Sequence, residues 1–202
     1  MGKVMIINAS PREAKSNSKK YAALFAKHCQ WDTEYYPVSK SNHAELCRKM
    51  EQFSDVLFVF PLYVDSIPSP LLRFLKTLEE NAPSHKPVIS VLINCGFIEP
   101  EQNDVAVKTV RLFCRKNGVP FGSVLKIGSG EAILTTPLRI FISAKIKRFA
   151  ASITTAKYKT MQSTMPISKK MFLKASSVYW ENYGKKNGIT KEQMMTMQIE
   201  GK

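Results

Sequence analysis

Residues Lys3 to Lys20 read KVMIINASPREAKSNSKK, and the rest of the chain is organised around them. Val4-Met5-Ile6-Ile7 is a short apolar run of the kind shown by a strand buried on both faces. It ends in Asn8-Ala9-Ser10-Pro11, where Pro11 forbids an ordinary continuation into helix. A second polar cluster, Ser16-Asn17-Ser18, opens a helical stretch from Lys19 to Cys29. Strand, polar loop and helix N-terminus in that order offer free backbone N–H groups, small hydroxyls and the positive end of a helix dipole, which together suit a phosphate. Plain N-capping by Ser16 or Ser18 is the bland alternative, but a cap needs one such residue. Ser10, Arg12, Ser16, Asn17 and Ser18 together exceed that need, and the loop reads as a phosphate cradle.

Neither Gly-x-x-x-x-Gly-Lys-Ser/Thr nor Gly-x-Gly-x-x-Gly follows the first strand, which argues against a nucleoside triphosphatase and a typical dinucleotide fold. A loop built from hydroxyls and an amide is how the monophosphate of flavin mononucleotide (FMN) is usually held. Asn8-Ala9-Ser10-Pro11-Arg12 with Ser16-Asn17-Ser18 resembles the Asn-Gly-Ser-Pro-Arg…Ser-Asn-Ser/Thr opening of the flavodoxin-like, NAD(P)H-dependent FMN reductase family. Ala9 stands where that family more often has Gly.

The 202 residues suffice for one α/β domain with a proper core. Apolar residues at 44% and charged residues at 23% are ordinary globular values, so disorder is not the default. No apolar run approaches the roughly 18 residues that span a bilayer. The first strand follows Met1-Gly2 at once, so no signal peptide is expected. Cys29, Cys47, Cys95 and Cys114 lie far apart without a Cys-x-x-Cys pair, which reads as free thiols in a cytoplasmic protein. The net charge is +14, unevenly spread: from Ala132 to Trp180 there is no Asp or Glu, against Arg139, Lys145, Lys147, Arg148, Lys157, Lys159, Lys169, Lys170 and Lys174. Such a stretch is either a solvated basic surface or a contact for anionic membrane or acidic protein. Without a recognisable module or interleaved aromatics, no nucleic-acid partner is expected.

Further strands are expected at Thr33–Pro37, Asp55–Phe60, Pro87–Asn94 and Phe121–Ile127, the second of them the clearest in the chain. Helices are expected at His43–Gln52, Leu71–Glu80 after Ser69-Pro70, and Gln102–Asn117 with Gly118 at C′. Five strands alternating with helices imply a doubly wound five-stranded parallel α/β sheet, flavodoxin-like by the resemblance. Leu138–Thr155 reads as a helix with Leu138, Phe141, Ile142, Ile146, Phe149 and Ile153 on one face. Residues 156–166 read as a loop, Ile167–Gly184 as a helix stopped by Gly184 and Gly188, and Ile189–Met194 as a short helix capped by Thr190. The whole is expected to be a single domain, with a core over about 1–131 and extra C-terminal helices over about 132–202. Tyr179, Trp180 and Tyr183 read as helix packing on the domain, with a roof over the flavin or a dimer contact as alternatives, and Met194-Met195-Thr196-Met197 reads as packing or a frayed end and not as a metal site.

Ligands of such a sheet sit beyond the C-terminal strand ends. Those ends carry Asn8–Ser18, Pro61–Pro68, Asn94–Phe97 and Gly128–Glu131, segments rich in Gly, Pro, Ser and Asn. Pro61-Leu62-Tyr63-Val64-Asp65 alone would be an ordinary Pro-flanked loop. By resemblance it matches the family's Pro-Leu-Tyr-x-Asp-x-x-Pro segment, which lies along the flavin ring edge, with Asp65 shaping the loop. Asn94-Cys95-Gly96-Phe97 is by itself as readily a simple turn. The resemblance implies that it holds the pyrimidine side of the ring, where N–H donors stabilise negative charge on reduction. No His accompanies Cys95, which argues against a nucleophile. The resemblance as a whole implies an FMN-dependent oxidoreductase passing electrons from its co-substrate NAD(P)H to a quinone, flavin or similar small-molecule acceptor. FMN carries the hydride chemistry, no residue is assigned as catalytic, no metal is expected, and a homodimer is. The alternatives are an electron-carrier flavodoxin without NAD(P)H activity and a flavin-free scaffold that binds anionic surfaces through the basic C-terminal region.

Overall fold

The computed structural model describes residues 2–196. The chain divides into two compact units, Met1–Met165 and Pro166–Lys202. The first alternates strand and helix: β1 (Lys3–Asn8), α1 (Asn17–His28), β2 (Asp32–Pro37), α2 (His43–Met50), β3 (Asp55–Pro61), α3 (Ser69–Glu80), β4 (Val88–Asn94), α4 (Asp104–Lys116), β5 (Phe121–Ile127), α5 (Arg139–Thr154) and β6 (Thr160–Ser163). The sheet order is β2-β1-β3-β4-β5-β6 with every pair parallel. Strand order reverses between β1 and β3, which opens a crevice at their C-terminal tips.

Burial on both faces explains the uninterrupted apolar runs of β1, β3 and β4. One face is covered by α2, α3 and α4, whose Leu46, Phe74 and Val110 join Ile7, Phe58 and Val91 in one core cluster. The other is covered by α1 and α5, where Phe25 and Phe149 meet edge to face at 5.8 Å. Lys126 on β5 is buried and pairs with Asp104 of α4 at 2.6 Å. Gly118 at φ 59° ends α4 as its sequence position implies.

The sheet has six strands, not the five expected from sequence. Thr160–Ser163 falls inside the segment read as a loop, because TMQS has neither an apolar run nor a clear alternation. It becomes a strand by pairing: Val124 N–H donates to Lys159 O at 2.9 Å, and Gly128 N–H to Ser163 O at 2.8 Å. The sheet-bearing unit therefore runs on to Met165 instead of closing near 131. On α5, Ile142, Ile146, Phe149 and Ile153 are buried as expected, whereas Phe141 is 55% exposed, since it sits about 100° around the helix from Ile142.

The second unit holds α6 (Lys169–Lys186) and α7 (Lys191–Met194). Gly184 does not stop α6 but lies buried within it, where a side chain would collide with Met194 Sδ. The helix ends at Asn187, and Gly188 at φ 73° turns the chain. Thr190 caps α7 in a reciprocal capping box with Gln193. Tyr179, Trp180 and Tyr183 contact one another and stay about half exposed. Met194 packs on Gly184, Met195 is exposed, and Met197 lies outside the described residues. No helix among the described residues is long and apolar enough to cross a membrane.

Asp55 opens β3 buried, and its Oδ1 has no hydrogen-bond partner among the described residues. Burial pushes its carboxyl above the usual carboxylate range. A native state that binds the proton more tightly than the unfolded chain loses stability as pH rises through that raised value. Asp55→Asn is expected to flatten this slope and to raise stability at neutral pH by about 1 kcal/mol, as read by urea unfolding at mildly acidic and neutral pH.

Candidate functional site

All four loops that leave the tips of β1, β3, β4 and β5 meet around one concave site of about 160 Å³. From the first come Ser10, Arg12, Ser16, Asn17 and Ser18, and from the second Pro61, Leu62 and Tyr63. Asn94, Cys95 and Gly96 come from the third, and Glu131 from the fourth. The eleven from the first three loops are sequence-predicted site residues. Val64, Asp65 and Phe97, also predicted, stand outside the lining.

The first loop is shaped by Asn8, which is fully buried. Its Oδ1 accepts from Ser10 N–H at 3.0 Å, while its Nδ2 donates to Tyr35 Oη at 2.8 Å and Ser16 Oγ at 3.4 Å. Tyr35 donates in turn to Glu13 Oε1 at 2.7 Å, and Lys19 pairs with the same carboxylate at 3.1 Å. The Tyr35 hydroxyl first, with Lys19 helping, holds the Glu13 carboxyl below its usual range. Glu13 thus stays ionised but neutralised beside the loop.

Ser16 is the N-cap of α1. Its hydroxyl accepts from Lys19 N–H at 3.1 Å and donates to Glu13 O at 3.0 Å. With Asn8 also donating to it, both lone pairs and the proton are committed. The capping reading therefore holds for Ser16. Ser10 and Ser18 differ: each oxygen accepts, from Arg12 N–H at 3.3 Å and Asn94 Nδ2 at 3.0 Å, and each keeps its own proton to give. The N–H groups of Asn17 and Ser18 lie in the first turn of α1, where the helix supplies no acceptor. These groups and Arg12 line one end of the site, beside the positive end of the α1 dipole.

Asn94 braces the other strand tips. Its Nδ2 donates to Ser18 Oγ and to Phe60 O at 3.3 Å, tying the helix start to β3 and β4. The Cys95 thiol donates toward the carbonyls of Phe97 and Glu99. Asn103 Nδ2 lies 3.4 Å from that sulfur. Burial pushes the Cys95 thiol up, so the sulfur facing Asn103 is protonated and inert. Gly96 has an ordinary φ, and a Cβ added there would meet nothing within 4 Å. The fold does not require glycine at this position; the side chain is missing on a wall of the site.

The last loop crosses behind. Gly130 N–H donates to Cys95 O at 2.7 Å, and Tyr21 Oη donates to Gly130 O at 2.6 Å. Burial pushes the Tyr21 phenol far up, fixing it as a donor. Sequence reasoning placed Gly128–Glu131 at this edge without singling out Glu131, the one carboxylate in the lining. Asn8 was visible only as part of the opening motif, and Tyr21 and Tyr35 carried no local signal, since their bonds reach across 109 and 22 residues. Among the described residues no His, Cys, Asp or Glu cluster could hold a metal.

No family model matches the sequence, and no curated protein matches it. Solved structures do. An NADPH-quinone reductase from P. pentosaceus superposes with a TM-score of 0.57 at 15% identity, covering 74% of this chain and 98% of that one. An FMN-dependent NADH-azoreductase from Bacillus anthracis, solved in complex with FMN, gives 0.55 at 14%, covering 76% and 99%. The flavodoxin of Streptococcus pneumonia TIGR4 gives 0.54 at 13%, covering 74% and 98%. The fold is flavodoxin-like, with a sixth parallel strand.

Val64 and Asp65 form the tip of a tight turn, closed by Tyr63 N–H to Ser66 O at 3.1 Å and Ser66 N–H to Tyr63 O at 2.9 Å. Both have positive φ, 47° and 54°, and Val64 is 96% exposed. A β-branched residue is disfavoured there, whereas Asn tolerates it. Val64→Asn is expected to stabilise the protein by about 1 kcal/mol in thermal unfolding. Ser16→Ala is expected to cost about 1 kcal/mol through the lost cap, with or without added ligand.

Proposed function

We propose that this protein is a flavin-dependent oxidoreductase that holds FMN in the site at the strand tips. In this reading it passes reducing equivalents from NAD(P)H to a small acceptor such as a quinone or a flavin. The observation that carries the reading is the pairing of a built anion end with a wall stripped of its side chain. Ser10, Ser18, the N–H groups of Asn17 and Ser18, and Arg12 supply donors for a phosphate ester. Gly96 leaves space where any other residue would place a Cβ. The similarity of the fold to quinone reductases, an azoreductase and a flavodoxin supports the same class.

When bound, FMN supplies the redox chemistry, accepting hydride from NAD(P)H and giving electrons to the acceptor. The chain binds and orients it. Ser16 keeps the first turn of α1 in shape, Asn94 fixes that turn against β3 and β4, and Tyr63, Leu62 and Cys95 frame the remaining wall. About 160 Å³ is less than the roughly 300–1,000 Å³ of a site that swallows its ligand. A cofactor held there would stay partly open to a donor and an acceptor arriving in turn. A homodimer belongs to the same proposal.

The purified protein is expected to bind FMN with a flavin absorbance and to oxidise NADH or NADPH with a quinone or ferricyanide. Flavin binding without NAD(P)H oxidation would indicate an electron carrier, and no affinity for FMN would overturn the reading. Arg12→Ala is expected to weaken FMN about ten- to a hundredfold while leaving riboflavin unaffected, because only the phosphate is addressed. Gly96→Val is expected to lower affinity for both by about tenfold or more, with the unfolding free energy changed by less than about 0.5 kcal/mol.

A further inference from the structure

We propose that the outer edge of β6 and the flank of α5 form a docking groove for an extended acidic peptide segment of another protein. The peptide would add to the sheet as a seventh strand. The sheet ends at β6, which pairs with β5 on one side only among the described residues. Val124 N–H reaches Lys159 O and Gly128 N–H reaches Ser163 O, so the backbone of odd-numbered residues here faces β5. Alternation along a strand then turns the N–H and C=O groups of Thr160 and Gln162 outward. Neither outward group has a backbone partner among the described residues. This edge is a template for one more strand.

The surroundings specify which strand. Beside the edge lies a concavity of about 550 Å³. Lys145 and Arg148 of α5 line it, with Lys157 and Lys159 from the approach to β6, and no carboxylate is in the lining. Ala151 and Met161 add apolar surface. Four cations around a row of unsatisfied backbone groups fit a peptide with Asp or Glu at alternate positions, one face toward α5. A second copy of this chain pairing through β6 would bring the same lysines face to face, which opposes self-association there. A flat lipid surface cannot reach donors and acceptors set in a groove. The groove is lined from Lys145 to Thr155 along α5 and its end and by Thr160 to Gln162 of β6, and it shares no lining residue with the site at the strand tips.

The test uses the full chain and a labelled peptide of alternating Glu and Thr, about eight residues long, the length of an ordinary strand. Saturable binding by fluorescence anisotropy is expected, with slower hydrogen exchange at the amides of Thr160 and Gln162. The same peptide N-methylated at alternate residues keeps its charge but loses its edge donors, and is expected to bind about tenfold more weakly or worse. Lys157→Glu with Lys159→Glu should give a similar loss. Thr160→Pro removes an outward N–H while leaving the β5–β6 ladder whole, and should do the same. Equal binding of the N-methylated peptide, or of a single-stranded oligonucleotide, would overturn the proposal in favour of a general polyanion surface. Failure of the peptide to bind while anionic phosphatidylserine vesicles do would overturn it in favour of a membrane contact. All these readouts are independent of flavin.

Discussion

Two buried asparagine side chains hold together the end of the sheet on which everything else depends. A parallel sheet crowds its loops at the strand tips, and each loop brings backbone groups that need partners away from water. Asn8 satisfies the first loop from within, through Ser10 N–H, Tyr35 and Ser16. Asn94 joins the first turn of α1 to the ends of β3 and β4. Replacing either by an apolar residue would strand several polar partners at once, each costly when buried. With both in place, the hydroxyl protons of Ser10 and Ser18 are left without a partner among the described residues, and both residues line the same site.

The strands were legible where they are buried on both faces, because Val4–Ile7, Asp55–Phe60 and Pro87–Asn94 carry runs that only a covered strand tolerates. The site segments were legible because Pro, Gly, Ser and Asn interrupt those runs at the same end of each strand. What escaped depends on contacts distant in sequence. TMQS is a strand only because β5 offers it an edge. Ser16 lost its free hydroxyl to capping and to Asn8, which its sequence neighbours do not disclose. Val64 and Asp65 stand at the tip of a two-residue reversal and Phe97 is 52% exposed, placements that the motif alone does not disclose.

The acid-free stretch from Ala132 to Trp180 looked like one basic face. The structure divides it. Lys145, Arg148, Lys157 and Lys159 gather about one groove of the sheet-bearing unit, while Lys169, Lys170 and Lys174 belong to the second unit. Charge along a sequence states how much is present; the fold decides where it is concentrated. The concentrated part lies beside open backbone groups, which gives it a directional chemistry that a diffuse positive surface lacks.

The hydrogen bond from Tyr21 to Gly130 joins the first helix to the loop after the fifth strand, 109 residues later. A ribosome making this chain releases the first loop early and its last brace late. The nascent N-terminal half therefore waits with an unbraced loop, and under the proposed function a cofactor that prefers the finished site would be captured only after β5 has docked. Such a capture would act as a final ratchet on folding, since whatever binds the native state alone draws the population toward it.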